Sequence, residues 1–233
     1  MLRISLIFLI VAFVLSACAG GGSETADTPE QTIDLGDLLA IEQQRIELTV
    51  QPEIHLLLLR SHLTISAEKV ANADHAYILL NRHAYIEEML LNGRDVELHE
   101  VRVIKQKYFG EDISDSDWDR IAEFASLFRI DFPRKPVGGS LELSMKYNLR
   151  VTEEMTSCQF DTNEFILDGI GFWYPSNLQN DHPFHIEVTY PTQYSLEVLD
   201  NRSASEEVTP AMSRARFDLS GLDDPLLIIG YRE

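Results

Sequence analysis

Apolar and polar positions alternate with a period of two over most of the chain from Arg45 onward, a pattern typical of half-buried β-strands. The clearest case is the segment 141–151, where six apolar residues alternate with polar ones. Similar patterns predict further strands at 45–50, 56–65, 184–190, 194–199, 214–219 and 226–231. We therefore expect a mainly β protein, an antiparallel β-sandwich or saddle-like domain.

A tight hairpin is predicted around Asn92-Gly93, because this dipeptide offers the positive φ angles that a two-residue turn requires. The segment 86–91 runs into the turn, and the segment 96–103 is expected to return from it. The two segments should therefore pair as neighbouring antiparallel strands.

One segment follows a helical period instead. Trp118, Ile121, Ala122, Ala125 and Phe128 fall at helical spacing, with Ser114 or Ser116 available as N-cap. The spacing predicts a helix over 116–130 that packs Trp118 and Phe128 over a sheet edge as a cover. A second helix is expected between Glu30 and Gln44.

The N-terminus carries a targeting signal. Arg3 precedes an apolar run over 4–15, which is too short to span a membrane and suits a signal peptide. The run ends in Leu15-Ser16-Ala17-Cys18, which resembles the lipobox of bacterial lipoproteins. The resemblance implies that residues 1–17 are removed and that lipid is attached to Cys18; the alternative is an ordinary secretory signal in which Cys18 is incidental.

These features divide the chain into three parts. Residues 1–17 are the expected signal peptide, 18–44 the lipidated Cys18 and a flexible tether, and 45–233 the β-domain. Ala19 follows Cys18 where an Asp resembles the enterobacterial signal for retention in the inner membrane. We therefore expect a lipid-anchored protein of the bacterial cell envelope, on the outer membrane and facing the periplasm.

The net charge of the chain limits which classes of partner it can bind. The chain has 38 acidic and 19 basic residues and a formal charge of −19, so its surface repels nucleic acid and anionic lipid. The acyl chains are then the membrane anchor, and the expected partner is another envelope protein. Because lipid is expected on Cys18, Cys158 has no partner for a disulfide. It is interpreted as a small buried thiol, with a catalytic nucleophile as the alternative.

Several strands, taken in order, resemble the N-terminal β-domain of the aminopeptidase N family of zinc metallopeptidases. The matching segments are 48–65, 78–93 with its Asn-Gly turn, 141–147 with its final Tyr, and Gly171-Phe172-Trp173-Tyr174-Pro175 followed by 184–194. The resemblance covers most of 45–233 and implies that fold. In complete enzymes a thermolysin-like catalytic domain follows this one, and the present chain stops at about that boundary.

The chemistry of those peptidases is not found in the sequence. Their motif needs two His one helical turn apart with a Glu between them, but His99-Glu100 is followed by Val103 at the position of the second His. We therefore expect no enzyme, no metal and no cofactor. The acidic or Gln residue that the family's N-terminal domain lends to the substrate site would fall near Ile166, or at Glu164 if the alignment slips.

Two other groups of residues are candidate functional sites. His182 and His185 could share a metal, but Pro183 between them favours a rim loop. Sequential acidic pairs such as Glu87-Glu88 diverge in strands or turns and are interpreted as solvated faces.

The sequence therefore predicts a non-catalytic binding or scaffolding module, with a separately encoded peptidase or transporter as its candidate partner. The aromatic run Phe172-Trp173-Tyr174, with Tyr190 and Tyr194, is its candidate contact surface, and packing in the core is the competing interpretation. The alternative function is a cryptic hydrolase that uses carboxylates brought together by folding, which requires a concave pocket with two converging acids.

Overall fold

Strands make up most of the part of the chain that the structure describes. A computed structural model describes residues 38–101, 104–109, 113–132, 139–179, 181–198, 201–202, 206–220, 222 and 225–232, with the backbone alone for 201–202 and 206–208. In chain order its elements are β1 (Ile41–Gln51), β2 (Leu56–Ser66), β3 (His75–Asn81), β4 (Ala84–Leu91), β5 (Arg94–Asp95), β6 (Leu98–Val101), α1 (Asp115–Phe124), β7 (Ala125–Asp131), β8 (Ser140–Arg150), β9 (Cys158–Phe160), β10 (Glu164–Asp168), β11 (Phe184–Pro191), β12 (Tyr194–Val198), β13 (Asn201–Arg202), β14 (Glu206–Thr209), β15 (Met212–Leu219) and β16 (Leu227–Arg232).

The strands form three sheets. The large sheet has eight strands in the order β14-β15-β11-β1-β2-β8-β4-β5, the second has five in the order β13-β12-β16-β10-β9, and the third has three in the order β3-β7-β6. Strand β1 pairs in parallel with β11, while the other strand pairs are antiparallel. The expected mainly β, antiparallel architecture is confirmed.

One core lies between the large sheet and the two smaller ones. It contains inward-facing residues from all three sheets, among them Ile46, Leu63, Met145 and Val188 of the large sheet, Phe165, Leu196 and Ile228 of the five-stranded sheet, and Ile78, Phe128 and Ile130 of the three-stranded sheet. The two smaller sheets therefore cover the inner face of the large sheet, as layers do when each sheet has one apolar face to bury.

The three-stranded sheet is buried on both of its faces. Its second face carries Tyr77, Leu79 and Leu127, which pack with Ile121 and Phe124 of α1 in a separate apolar cluster. Trp118 is half-buried at the edge of this cluster, with its ring centroid 6.5 Å from that of Phe109. The helix therefore acts as a cover, although it covers a face of the sheet and not an edge.

The helix is shorter than predicted. It begins after Ser114, whose Oγ accepts a hydrogen bond from Asp117 N at 3.1 Å, so the proposed N-cap is confirmed. It ends at Phe124, and the predicted second half, including Phe128, is strand β7. No helix among the described residues is both long and apolar enough to cross a membrane.

Two other boundaries differ from expectation. Residues from Ile41 onward belong to strand β1, so the end of the helix expected between Glu30 and Gln44 is extended, and the rest of it lies outside the described residues. The turn at Asn92 (φ 50°) and Gly93 (φ 74°) is confirmed. Its returning strand, however, is only β5, because the chain then crosses to the three-stranded sheet as β6.

Candidate functional site

The outer face of the large sheet is mainly polar, although Leu58 and Tyr85 are exposed on it, and several of its charged side chains pair with one another. Glu47 and Glu187 lie opposite each other on β1 and β11, an arrangement that is unfavourable for two like charges. Four guanidinium groups neutralise them. The ion pairs are Arg45–Glu47 (3.0 Å), Arg60–Glu47 (3.9 Å), Arg214–Glu187 (3.2 Å) and Arg216–Glu187 (2.9 Å).

The outer face of the five-stranded sheet is different. In its centre, Ile166 of β10 lies opposite Ile229 of β16, with Leu227 and Tyr231 two residues to either side of Ile229 on the same strand face. The first three side chains are half-buried and Tyr231 is 40% exposed. We call these four residues the Ile229 face. Among the described residues no element packs on it as α1 packs on the three-stranded sheet.

Polar and acidic side chains border the Ile229 face. Gln159 and Glu197 lie at the two ends of the row through Ile166 and Ile229. The remaining members of the border are Glu164 beside Tyr231, Asp168 beside Leu227, and Ser195. An apolar centre with a polar border is the usual anatomy of a protein-binding surface.

Local packing fixes which side of β16 faces outward. Gly230 lies between Ile229 and Tyr231 and faces the core, where the ring of Phe165 occupies the space of a side chain: a Cβ on Gly230 would lie 2.1 Å from Phe165 Cε1. Phe165 in turn packs against Tyr194 of β12, with ring centroids 5.4 Å apart. The Phe165 ring on β10 thus fills the space that a side chain at position 230 on β16 would occupy. This contact stabilises the register between the two strands, and that register directs the Ile229 face outward.

The aromatic run proposed as a contact surface fills the core. Phe172 and Trp173 are fully buried and Tyr174 is 2% exposed. Trp173 and Tyr174 form an edge-to-face pair with centroids 4.8 Å apart, and Tyr174 packs on Phe184 at 5.9 Å. Tyr190 is likewise buried. The expectation of a contact surface is corrected accordingly, because large aromatic side chains gain most by filling the space between sheets.

Hydrogen bonds tie this aromatic run to the strands around it. The Tyr147 hydroxyl donates to the carbonyl oxygen of Trp173 at 3.3 Å, and Leu226 N donates to the Tyr174 hydroxyl at 3.3 Å. Burial raises the pKa of Tyr174 to about 12, so its hydroxyl stays protonated. Its role is therefore to hold the loop before β16 in place.

Cys158 and His182 are buried within the protein. Burial raises the pKa of the Cys158 thiol to about 12, which confirms the interpretation as a buried thiol and is unsuited to a nucleophile. His182 is stacked on Phe184 with its Nε2 3.2 Å from Gln44 Oε1. The rim loop expected here is therefore packed into the core at His182, while His185 is half-buried and pairs with Asp218.

The remaining residues singled out in the sequence are dispersed. His99 and Glu100 lie on strand β6 and not on a helix, and Glu100 accepts a hydrogen bond from the Ser126 hydroxyl at 2.7 Å. Glu164 and Ile166, the positions aligned with a substrate contact in the peptidases, both lie on the outer face of β10. Cys18 lies outside the described residues.

Within the described ranges, no three His, Cys, Asp or Glu side chains come together as a metal site. Glu187 and Asp218 line a groove of about 490 Å³ on the large sheet, where they pair with Arg216 and His185. Two acids also line a groove of about 400 Å³ beside β9, namely Glu153 and Asp161. Both side chains are exposed to solvent, and a general acid needs an environment that favours its protonated form. This groove therefore has the acids but not the apolar enclosure that the hydrolase alternative requires.

Leu227, Ile229 and Tyr231 are the site residues that the sequence analysis missed. The segment Leu226-Leu227-Ile228-Ile229 is apolar without interruption, whereas a strand with one wet face shows alternation. The run predicts a strand, and its lack of alternation is the signal in the sequence that both faces of this strand, β16, are apolar.

Solved structures give the fold a context. No model of a known protein family matches the chain, and no curated protein matches its sequence. The chain is similar in structure to an M1 zinc metallopeptidase from Deinococcus radiodurans, with a TM-score of 0.54, 17% identity, and coverage of 83% of this chain and 42% of that one. It is also similar to yeast LTA4 hydrolase bound to bestatin, with a TM-score of 0.54, 11% identity, and coverage of 89% of this chain and 31% of that one.

The chain thus spans about two fifths of the length of the bacterial peptidase and about a third of the yeast enzyme. The match lies in the N-terminal portion of those proteins and leaves their catalytic domain unmatched. At sequence identities of 17% and 11%, the structural similarity to these two enzymes shows a shared fold alone. This chain therefore has the fold of the N-terminal β-domain of M1 metallopeptidases, and the similarity does not extend to their catalytic domain.

Proposed function

We propose that this protein is a lipid-anchored, non-catalytic binding module of the bacterial envelope that docks another envelope protein on its Ile229 face. The observation that carries the proposal is the contrast between the three sheets. The large sheet pairs its outer charges and the three-stranded sheet is covered by α1, whereas the five-stranded sheet leaves an apolar centre uncovered among the described residues. Uncovered apolar area inside a polar border favours a protein partner.

The border indicates the charge of that partner. Glu164 and Asp168 flank the apolar centre, on a chain whose formal charge is −19. A partner surface with an apolar centre and basic border would match it, because complementary charges speed association and fix orientation. A separately encoded peptidase is the partner class we favour, since in the M1 peptidase the matching domain is one part of a longer chain.

Attachment through Cys18 gives the module its place in the cell. Lipid at that position would hold the domain on the outer membrane, facing the periplasm, by a tether of about 20 residues. One lipidated terminus confines the domain to a thin layer of solution and raises its effective concentration toward other proteins of the same membrane. Even a low affinity of the Ile229 face for its partner would then be enough for the two proteins to associate.

Site-specific photocrosslinking in intact cells tests this function. Tyr231 is replaced by p-benzoylphenylalanine, which preserves an aromatic ring on the Ile229 face. The matched control is the same replacement at Tyr85, which is 68% exposed on β4 of the large sheet. We expect one discrete protein adduct from position 231 that is not formed from position 85.

The adduct should disappear when Ile229→Glu is added. Docking would bury the new carboxylate without a partner, which should make the free energy of binding less favourable by about 2–4 kcal/mol. Tyr85→Glu should leave the adduct unchanged. The same adducts from both positions, or no adduct from position 231 in cells that contain the lipidated protein, would contradict the proposal.

A further inference from the structure

Strand β9 is the edge of the five-stranded sheet, and its hydrogen bonds show which of its backbone groups are used. Asp161 N donates to Glu164 O and Asp168 N donates to Ser157 O, each at 2.8 Å. In an antiparallel ladder the hydrogen-bonded pairs alternate, so residues 157, 159 and 161 of this segment bond to β10. Cys158 and Phe160 therefore direct their N–H and C=O groups away from the sheet.

Cys158 and Phe160 also line a groove of about 400 Å³. The loop from Val151 to Thr156 and the side chain of His55 contribute to its lining. The ring of His55 is in edge-to-face contact with Phe160, at 5.7 Å between centroids. No hydrogen bond to the outward N–H and C=O groups of Cys158 and Phe160 is found within the part of the chain that the structure describes.

A strand edge beside a groove of this kind binds extended peptides by adding a strand. Among the described residues, the charged side chains that line the groove are Glu153 and Asp161, without a Lys or Arg. An incoming segment gains from a basic side chain, because a cation near two carboxylates is stabilised whereas an acid there is repelled.

We propose that β9 accepts an extended, basic segment of the docked partner as a sixth strand of the five-stranded sheet. This inference rests on the proposed function, since it says how the partner is held beside the Ile229 face. The face buries apolar area and the edge supplies directional hydrogen bonds. Together they specify one orientation for the partner, which an apolar face alone does not.

The test removes one donor from the edge without disturbing the sheet. Phe160→Pro deletes an N–H that β10 does not use, and proline is tolerated on edge strands. Phe160→Val is the matched control, because it removes the same aromatic ring and keeps the N–H. Both variants are made in the full lipidated chain in detergent micelles, and urea unfolding checks that they fold equally well.

The probe is a fluorescent peptide, acetyl-Thr-Val-Lys-Val-Lys-Val-Thr-amide, with a second peptide in which Glu replaces both Lys. We expect the basic peptide to bind at least about threefold more weakly to Phe160→Pro than to Phe160→Val, the effect of one lost hydrogen bond together with the obstructing ring. The acidic peptide should bind more weakly than the basic one to both variants. Equal affinity of the two variants for the basic peptide would overturn the proposal.

Hydrogen exchange gives a second readout that does not depend on a variant. In the free protein the amides of Cys158 and Phe160 should exchange faster than those of Gln159 and Asp161. Saturating basic peptide should slow exchange at Cys158 and Phe160 specifically. If the peptide binds without protecting these two amides, strand addition at β9 is wrong.

The two proposals fail in different ways. If Ile229→Glu removes the crosslinked adduct while Phe160→Pro matches Phe160→Val in adduct yield, docking on the face stands and the sixth strand does not. If the peptide binds at β9 but position 231 yields no adduct, peptide binding stands and the docking function fails. Concentration-dependent dimerisation that Phe160→Pro abolishes would show that a second copy of this chain takes the edge, and would overturn the assignment to a partner.

Discussion

Single residues decide how the five-stranded sheet presents its outer face, and Gly230 is the sharpest case. A Cβ there would meet two ring atoms of the buried Phe165 side chain at 2.1 and 2.3 Å. Since neither the ring nor the strand can move freely in a packed core, the added methyl group produces overpacking and not a small adjustment.

We therefore expect Gly230→Ala to lower the free energy of unfolding by about 1–3 kcal/mol, measured by urea denaturation. Phe165→Leu frees space at the same point, so the double variant should lose less than the sum of the two single variants. Strict additivity in this cycle would show that the two positions are not in steric conflict.

His182 makes stability depend on pH. Burial lowers its pKa from 6.5 to about 4, although the nearby Asp181 acts in the opposite direction. The folded protein then keeps the imidazole neutral, while the unfolded chain binds a proton below about pH 6.5. The contribution of His182 is fully present above that pH and is lost as the pH falls toward 4.

Urea unfolding at pH 7.5 and pH 4.5 checks this. The native protein should lose about 1–2 kcal/mol more between these two pH values than His182→Phe does, with the full effect of the pKa shift reduced by solvent screening. At pH 7.5 the variant should be the less stable of the two, because Gln44 Oε1 loses its hydrogen-bond donor. Parallel losses in both proteins would rule out His182 as the cause.

At the scale of elements, α1 depends on its first turn. Ser114 Oγ accepts from Asp117 N, and Asp115 and Asp117 lie at the positive end of the helix dipole. Ser114→Ala should therefore cost about 1 kcal/mol in thermal or urea unfolding. Ser114→Thr, which keeps a hydroxyl, should recover most of the loss; equal losses in both variants would show that the hydroxyl does not cap the helix.

Elements with one wet face were predictable from the sequence. In β8 the residues Leu141, Leu143, Met145, Tyr147 and Leu149 are buried and the intervening ones are not. Alternation of this kind reports directly on which face meets water. The same reasoning located β1, β2, β11 and β15 to within a few residues, as well as the Asn92-Gly93 turn.

Elements buried on both faces were not predictable in the same way. Strand β7 packs Phe128 against the main core and Leu127 against α1, so its apolar residues are adjacent and its period is hidden. Because Ala125 and Phe128 continue the helical spacing of the residues in α1, the sequence pattern predicts a longer helix. Only pairing with β3 and β6, which comes from distant parts of the chain, sets the boundary at Phe124.

The candidate site shows the same limit. Phe172-Trp173-Tyr174 is prominent in the sequence because exposed aromatic residues often anchor interfaces, yet composition alone does not separate an anchor from a core residue. Ile166 and Ile229 share a face only because β10 and β16 pair in one register. That pairing joins segments about 60 residues apart, and nothing local encodes it.

At the scale of the whole molecule, membrane attachment is tested by Cys18→Ser. We expect the native protein to incorporate labelled palmitate and to sediment with membranes, and the variant to do neither, since the chain then lacks its acyl anchor. A folded variant that still sediments with membranes would show that something other than lipid on Cys18 attaches the protein.

The parallel pair of β1 and β11 also constrains the order in which the protein can fold. Strand β1 is the first strand among the described residues, yet it lies fourth in the large sheet, and its partner β11 begins about 140 residues later. Pairing at such separations is slow, because a long loop must close before the contacts form. If the protein is exported as we propose, a chain that has crossed the membrane as far as residue 180 would pair β1 with β2 but leave the other edge of β1 open to aggregation. The protein would then depend on periplasmic chaperones until its last quarter has crossed the membrane.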